Sequence, residues 1–377
     1  MKFIADKAIP HVKEAFSSLG EVHLLPAKEI TPSALQSATG LLVRTTTKIT
    51  PTLLNGSGVK FVGTATIGTD HIDLPYLADN RIHLSSAPGC NAVAVAEYIL
   101  TALFTLEQKT GVSLRKRTLG IIGAGNTGSA LKKKVEAIGM RCLLNDPPLA
   151  EISADASFSQ LNELIQTADI ISIHVPLTHT GKHPTFHLID EQILGQLKPG
   201  TIIINTSRGE TLDGQALKAN RERLGAIILD VWENEPHIDP ELLKGVDIAS
   251  PHIAGYSLEG KIRATEMIYR AACNFFKVAA TWKSEDALAP YGFPELTLQN
   301  GGQFPEQAVM QAYNIWEDDK RLRLFPCQDH PGEYFADLRN NYSFRREFSS
   351  FRVNIGQELS VQDRQLLARI EFKISNN

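Results

Sequence analysis

Short apolar runs alternate with stretches of helical periodicity from the first residues onward, the pattern of a chain in which β and α elements take turns. Lys2–Ala5, Val22–Leu25, Gly40–Val43 and Val59–Thr64 read as strands, and His11–Leu19 as a helix stopped by Gly20. This first series runs to about Ala87-Pro88-Gly89. Asn91 then caps a long helix, Ala92–Leu106, of mostly small and apolar residues that include the acid Glu97. A second series follows at 118–122, 141–145, Ile170–Val175, Thr201–Asn205, Ala226–Val231 and Val246–Ala249. Six strands are the number in a complete dinucleotide-binding sheet. Their unbroken branched runs suit parallel strands buried on both faces. A helix from Leu258 to Ala279 leads to a different kind of chain beyond residue 284. There a Pro- and Gly-rich stretch gives way to a helix over Pro305–Lys320, a charged and aromatic segment over Asp337–Phe348, and strands at Phe351–Ile355 and Ile370–Ile374.

The first strand of the second series runs into Gly123-Ala124-Gly125-Asn126-Thr127-Gly128, and a helix (Ser129–Ile138) comes next. In such a loop Gly123 permits the tight turn, Gly125 lets the backbone approach a diphosphate, and Gly128 allows close helix–strand packing. The diphosphate then meets free N–H groups at the helix N-terminus. A lone glycine loop is weak evidence, but here it sits between a strand and a helix, and Asp146 ends the next strand 18 residues beyond Gly128. That is the place of a ribose-binding acid. A carboxylate there repels a 2′-phosphate, so the cofactor expected is NAD rather than NADP.

Three further strand ends carry chemistry. Asn205-Thr206-Ser207-Arg208-Gly209, Asp230-Val231-Trp232-Glu233-Asn234-Glu235-Pro236 and Ser250-Pro251-His252-Ile253-Ala254-Gly255 each come directly after an apolar run. Parallel sheets keep their sites at such ends. An arginine can clamp a substrate carboxylate with paired N–H bonds. A histidine can take a hydroxyl proton as hydride leaves, with a carboxylate to orient its ring. Together they suit oxidation of a 2-hydroxy acid.

Composition narrows the rest. With 377 residues, two or three domains are expected. A net charge of −4 argues against a nucleic-acid or membrane-surface partner. The four cysteines (Cys90, Cys142, Cys273, Cys327) form no CxxC pair, so neither zinc nor a disulfide framework is signalled, and no metal is expected. The first residues already read as a strand, without a signal-peptide core, and a cytoplasmic protein is expected.

The glycine loop with Asp146, Asn205–Gly209, Asp230–Pro236 and Pro251–Gly255 jointly resemble the D-isomer-specific 2-hydroxyacid dehydrogenases over about residues 1–280. Val43–Lys48, Phe61–His71, Ala87–Asn91 and His252–Lys261 resemble members of that family acting on a phosphorylated 2-hydroxy acid. So do Leu338–Tyr342 and Arg345–Glu347, in a C-terminal extension. Ser207 stands where such members often have cysteine.

The resemblance implies two doubly wound parallel-sheet domains. One is a flavodoxin-like substrate domain (1–92 and 256–283) and the other a Rossmann NAD domain (93–255), succeeded by a small α+β domain (284–377) that makes a homodimer. It implies Arg208, Glu235 and His252 as the catalytic set, with Glu235 preferred to Glu233 because it directly precedes Pro236. It further implies cofactor contacts from Gly123, Gly125, Asn126, Thr127, Gly128, Asp146, Val175, Thr206, Ser207, Arg208, Asp230 and Gly255. Thr45, Thr66 and Tyr256 would meet the substrate. Arg44, backed by Lys48, is the choice for the substrate phosphate. Alternatives are a sister dehydrogenase acting on 3-phosphoglycerate and, more remotely, an NAD-sensing corepressor. The aromatic and arginine mixture of Tyr334, Phe335, Tyr342, Phe344, Phe348 and Phe351 with Arg339, Arg345 and Arg346 is expected to form a subunit interface and to do no chemistry.

Overall fold

Five strands form a parallel sheet in the computed structural model: β1 (Lys2–Asp6), β2 (Glu21–Leu25), β3 (Gly40–Val43), β4 (Phe61–Thr64) and β5 (His83–Ser85). Their order, β2-β1-β3-β4-β5, is that of flavodoxin-like sheets. The structure describes residues 1–153, 157–299, 304–355 and 359–375. β5 gives no clear signal in the sequence because it is three residues long with His83 exposed, too short and too polar to register as an apolar run.

Six more strands make the second sheet: β6 (Thr118–Ile122), β7 (Arg141–Asn145), β8 (Ile170–Ile173), β9 (Ile202–Asn205), β10 (Ala226–Leu229) and β11 (Ile248–Ala249). All are parallel, in the order β11-β10-β9-β8-β6-β7. A single parallel bridge from Leu144 to Phe158 adds one position outside β7. With that position taken as the third, the sheet runs 3-2-1-4-5-6-7, the dinucleotide-binding order extended by one strand. The order reverses between β6 and β8, so the crevice at their carboxyl ends is where a nucleotide belongs. All residues of β3, β4, β8 and β10 are buried, as layers on both faces demand.

The chain divides into two units, residues 1–91 with 257–292 and residues 92–256 with 293–377. In the first, Phe3, Phe16 and Phe61 pack with Tyr269 of the helix Leu258–Phe276. In the second, the helix Ala92–Thr110 is buried along most of its length. One charged side chain on it is compensated: Lys134 Nζ reaches Glu97 Oε1 at 2.9 Å, Glu371 Oε2 at 2.8 Å and the Ile370 carbonyl at 3.1 Å. Glu97 Oε2 accepts the Phe348 N–H at 3.0 Å. Two helices and the C-terminal segment thus meet on one buried ion pair.

A small parallel sheet, β12 (Glu295–Leu298), β13 (Arg352–Ile355) and β14 (Lys373–Ile374), closes the chain. β12 lies in the stretch whose Pro and Gly content reads as loop. The helix expected over 305–320 is two, Glu306–Ala312 and Ile315–Leu322, because the Asn314 side chain caps the second by accepting the Trp316 N–H at 3.2 Å. The aromatic cluster also differs from expectation. Phe335, Phe348 and Phe351 are 0%, 1% and 7% exposed within the subunit's own core, so half of the six aromatics cannot face a partner. No helix among the described residues is long and apolar enough to cross a membrane.

Candidate active site

The glycine loop leaves β6 with Gly123 at φ +93°. A Cβ on Gly128 would lie 2.1 Å from the Gly123 carbonyl oxygen, so only glycine lets the helix start this close to the strand. That helix, Asn126–Ala137, has Gly125 at its N-cap and no side-chain cap, which leaves its first N–H groups for a ligand. The Cα of Gly125 has open space where a side chain would stand. Across the crevice, Thr206 Oγ1 is buried without a hydrogen-bond partner. A bare helix N-terminus, an open glycine and an orphaned hydroxyl fit a dinucleotide. His174, just before Val175, is the neutral neighbour of this loop, since burial pushes its imidazole down to about 3. No motif in the sequence marks it.

Asp146 ends β7, and both its oxygens already work. Oδ2 accepts the Ala124 N–H at 2.8 Å and Oδ1 the Leu149 N–H at 3.1 Å, capping the helix Pro147–Ile152. The residue is thus a turn anchor, as its position before Pro147-Pro148 suggests. A carboxylate has about four acceptor sites, so ribose hydroxyls can still be met.

After β9, Asn205 organises the turn that presents Arg208. Its Oδ1 accepts from the Ser207 N–H at 3.1 Å and from Ser207 Oγ at 2.9 Å, while its Nδ2 donates to the Arg208 carbonyl at 2.9 Å. Arg208 Nη1 donates to the Ser207 carbonyl at 2.8 Å.

After β10, Asp230 is buried and holds the next loop. Its Oδ1 accepts from Ser250 Oγ at 2.5 Å and from the Ile253 N–H at 2.7 Å, and its Oδ2 accepts the Ala254 N–H at 2.9 Å. The His252 N–H adds a bond to the Asp230 carbonyl at 2.6 Å. His252 itself has φ +58°, a left-handed conformation that this bonding around it over-determines.

His252 Nδ1 faces Glu235 Oε2 at 2.8 Å. Glu235 Oε1 accepts the Trp232 N–H at 3.0 Å, so both carboxylate oxygens are placed. Glu233 points elsewhere: it binds His187 Nε2 at 2.7 Å and accepts the Gly214 N–H at 3.0 Å. His187 thus lies between two carboxylates, with Asp213 Oδ2 at 3.7 Å from its Nδ1. Burial works to raise the Glu235 carboxyl, but His252, Arg339 and the Trp232 N–H outweigh it and hold it below the usual carboxylate range. An ionised carboxylate favours the neutral ring with Nδ1–H toward it, the tautomer whose lone pair is on Nε2.

Gly255 and Tyr256 belong to the same loop, where the Tyr256 ring meets Tyr342 edge-on, with centroids 5.9 Å apart. Four expected substrate residues lie in the other unit. Arg44 donates through Nε to Asp6 Oδ2 at 3.1 Å, and Thr66 Oγ1 pairs with Thr64 Oγ1 at 2.7 Å. Thr45 and Lys48 are exposed. Near Arg44, burial and then that guanidinium push the Lys261 ammonium down to about 8.

The NAD binding domain of the D-isomer specific 2-hydroxyacid dehydrogenases matches residues 96–254. Over the whole chain, the erythronate-4-phosphate dehydrogenase of Cronobacter sakazakii is 42% identical, with 99% of its own length covered. The chain belongs to the erythronate-4-phosphate dehydrogenase group of the D-isomer-specific 2-hydroxyacid dehydrogenases. It is an NAD-dependent oxidoreductase. The enzyme of that name from Escherichia coli O7:K1 is 43% identical, over 94% of both chains. Among solved structures, the NAD-bound 3-phosphoglycerate dehydrogenase of Entamoeba histolytica is 28% identical, with a TM-score of 0.63. It covers 74% of this chain and 95% of its own. The Aquifex aeolicus D-lactate dehydrogenase, solved with NAD and lactic acid, is 26% identical with a TM-score of 0.59, over 74% of this chain and 96% of its own.

Proposed function

We propose that this chain oxidises 4-phospho-D-erythronate at C2 to 2-oxo-3-hydroxy-4-phosphobutanoate, a step toward pyridoxal phosphate. The observation that carries the reading is the His252–Glu235 pair at 2.8 Å beside a dinucleotide crevice. It stands in a chain alike over its full length to erythronate-4-phosphate dehydrogenases. NAD, when bound, supplies the hydride acceptor. Gly123, Gly125, Asn126, Thr127 and Gly128 hold the diphosphate, and Asp146 the adenosine ribose. Val175, Thr206, Ser207, Arg208, Asp230 and Gly255 line the far half. Arg208 clamps the substrate carboxylate and polarises the developing carbonyl. His252 Nε2 takes the C2 hydroxyl proton as the C2–H bond breaks with its electron pair. Glu235 stays ionised and steadies the imidazolium. Thr45, Thr66 and Tyr256 orient the substrate, and Arg44 with Lys48 takes its phosphate.

Homodimerisation through residues 284–377 belongs to the same reading, as does a cytoplasmic location, which four free cysteines suit. The test is a substrate panel of 4-phosphoerythronate, 3-phosphoglycerate, glycerate and lactate, each with NAD and NADP. Highest kcat/KM for 4-phosphoerythronate with NAD is expected. Preference for 3-phosphoglycerate would overturn the substrate assignment.

A further inference from the structure

Arg339 stands far along the chain from the catalytic strand ends, in the helix Pro331–Asn340, yet its Nη1 lies 3.6 Å from Glu235 Oε2. That oxygen is the one bonded to His252. At this separation the contact is electrostatic rather than a direct hydrogen bond. Among the described residues the guanidinium has no other ion pair or hydrogen bond, and its Nε is buried without a partner. An unsatisfied buried donor is unfavourable to folding, so stability alone does not explain an arginine here. Its one polar engagement is with the carboxylate that orients the base.

We propose that Arg339 is a positioning residue for the general-base pair, its positive charge holding Glu235 ionised against His252 and opposing premature protonation of the ring. This rests on the reading of His252 as base. The helix is seated firmly enough to place the charge: Gly332 packs against the His237 ring so closely that a Cβ there would lie 2.4 Å from it. Phe335 is fully buried. Nearby, buried Arg345 donates to the carbonyls of Ala94, Ile253 and Ala254, so a second arginine of this segment braces the loop carrying His252. The expectation that residues beyond 284 stand apart from the chemistry therefore needs revision.

The charged groups against Glu235 are His252, from the loop after β11, and Arg339. Asp230 and His237 lie on Glu235's own loop after β10, and Arg208 on the neighbouring strand end after β9. Each remains in place in an Arg339 variant, so the expected change has a definite sign. Oxidation needs neutral His252, and its rate falls at acid pH as the ring is protonated. Removing the cation favours the imidazolium and should move the acid limb of kcat/KM to higher pH. Removing the Glu235 anion should move it to lower pH.

The experiment compares Arg339→Met, Arg339→Lys and Glu235→Gln with the wild type in the full-length protein, over the pH profile of oxidation, with NADH binding and melting temperature as folding controls. Arg339→Met should lower kcat by about tenfold and raise the acid limb by roughly 0.5–1 pH unit, with KM for NAD unchanged. Arg339→Lys should restore most of both. The proposal is overturned if Arg339→Met keeps the wild-type profile while Glu235→Gln shifts it, or if Met and Lys variants lose rate alike with the limb unmoved. A Glu235→Gln profile that does not move would instead remove the general-base reading beneath it.

Discussion

At Glu235 and His252 one hydrogen bond and one backbone conformation set the geometry of the proposed base. The His252 backbone is held left-handed by its bond to Asp230 and by Asp230's bonds to the next two N–H groups, so the ring can aim at Glu235. His252→Ala is expected to lower kcat by about 10²–10⁴-fold, the usual worth of a general base, with NADH binding kept. Stopped-flow or steady-state oxidation rates together with NADH fluorescence check this. Glu235 adds a stability term whose sign is set by its depressed carboxyl. Its contribution is present above the ordinary value of 4.5 and is lost as pH falls through the lower folded value. Acid unfolding of Glu235→Gln should therefore be less steep than that of the wild type. On the proposed reading, Asp146→Ala removes a ribose acceptor and a charge that repels a 2′-phosphate. It also uncaps a helix, so it should narrow the NAD to NADP preference and lower the melting temperature together. An unchanged cofactor ratio would remove Asp146 from the ribose.

At the scale of elements, the Glu97–Lys134 pair joins the helix Ala92–Thr110, the helix Asn126–Ala137 and the end of the chain. Both side chains are 2% exposed. Burial works to raise the Glu97 carboxyl while Lys134 opposes it. Breaking one member leaves the other buried and uncompensated. Lys134→Met should accordingly lose about 3–5 kcal/mol of stability, measured by denaturant unfolding. The double variant with Glu97→Gln should recover part of that loss. Because Phe348 and Glu371 share the network, the C-terminal strands should loosen with it, visible as faster amide exchange over residues 348–375.

For the whole molecule, the aromatic cluster that reads as an interface is in large part an intramolecular core. A homodimer must then use residues left at the surface, such as Phe344 at 49% and Leu324 at 52% exposed. Light scattering on the full-length protein is expected to give the mass of two chains. Phe344→Arg or Leu324→Arg should shift it toward one chain if either residue lies in the contact, with little change in unfolding midpoint because neither belongs to the core. A monomer at micromolar concentration would leave the C-terminal segment with its intramolecular work alone.

Much of the fold and of the site was legible in the chain itself. Branched apolar runs mark strands buried on both faces, and a glycine loop between strand and helix marks a diphosphate cradle, because both depend on local backbone geometry and local burial. The strand ends that carry Arg208, Glu235 and His252 could be picked out for the same reason: β9, β10 and β11 are parallel, so the loops leaving their carboxyl ends all emerge at one edge of the sheet. Tertiary structure alone decided the rest. That Asp230 holds the loop of His252 depends on strands brought side by side, with Ser250 and Ile253 far from it in sequence. β5 and β12 needed neighbours to supply the hydrogen bonds their short runs could not announce. Phe335 and Phe348 look like interface residues because an aromatic side chain carries no mark of which apolar surface will cover it. Arg339 and Arg345 had no local signal either, since a guanidinium finds its partner through space, and only the folded chain brings Glu235 and the carbonyls of Ile253 and Ala254 to them.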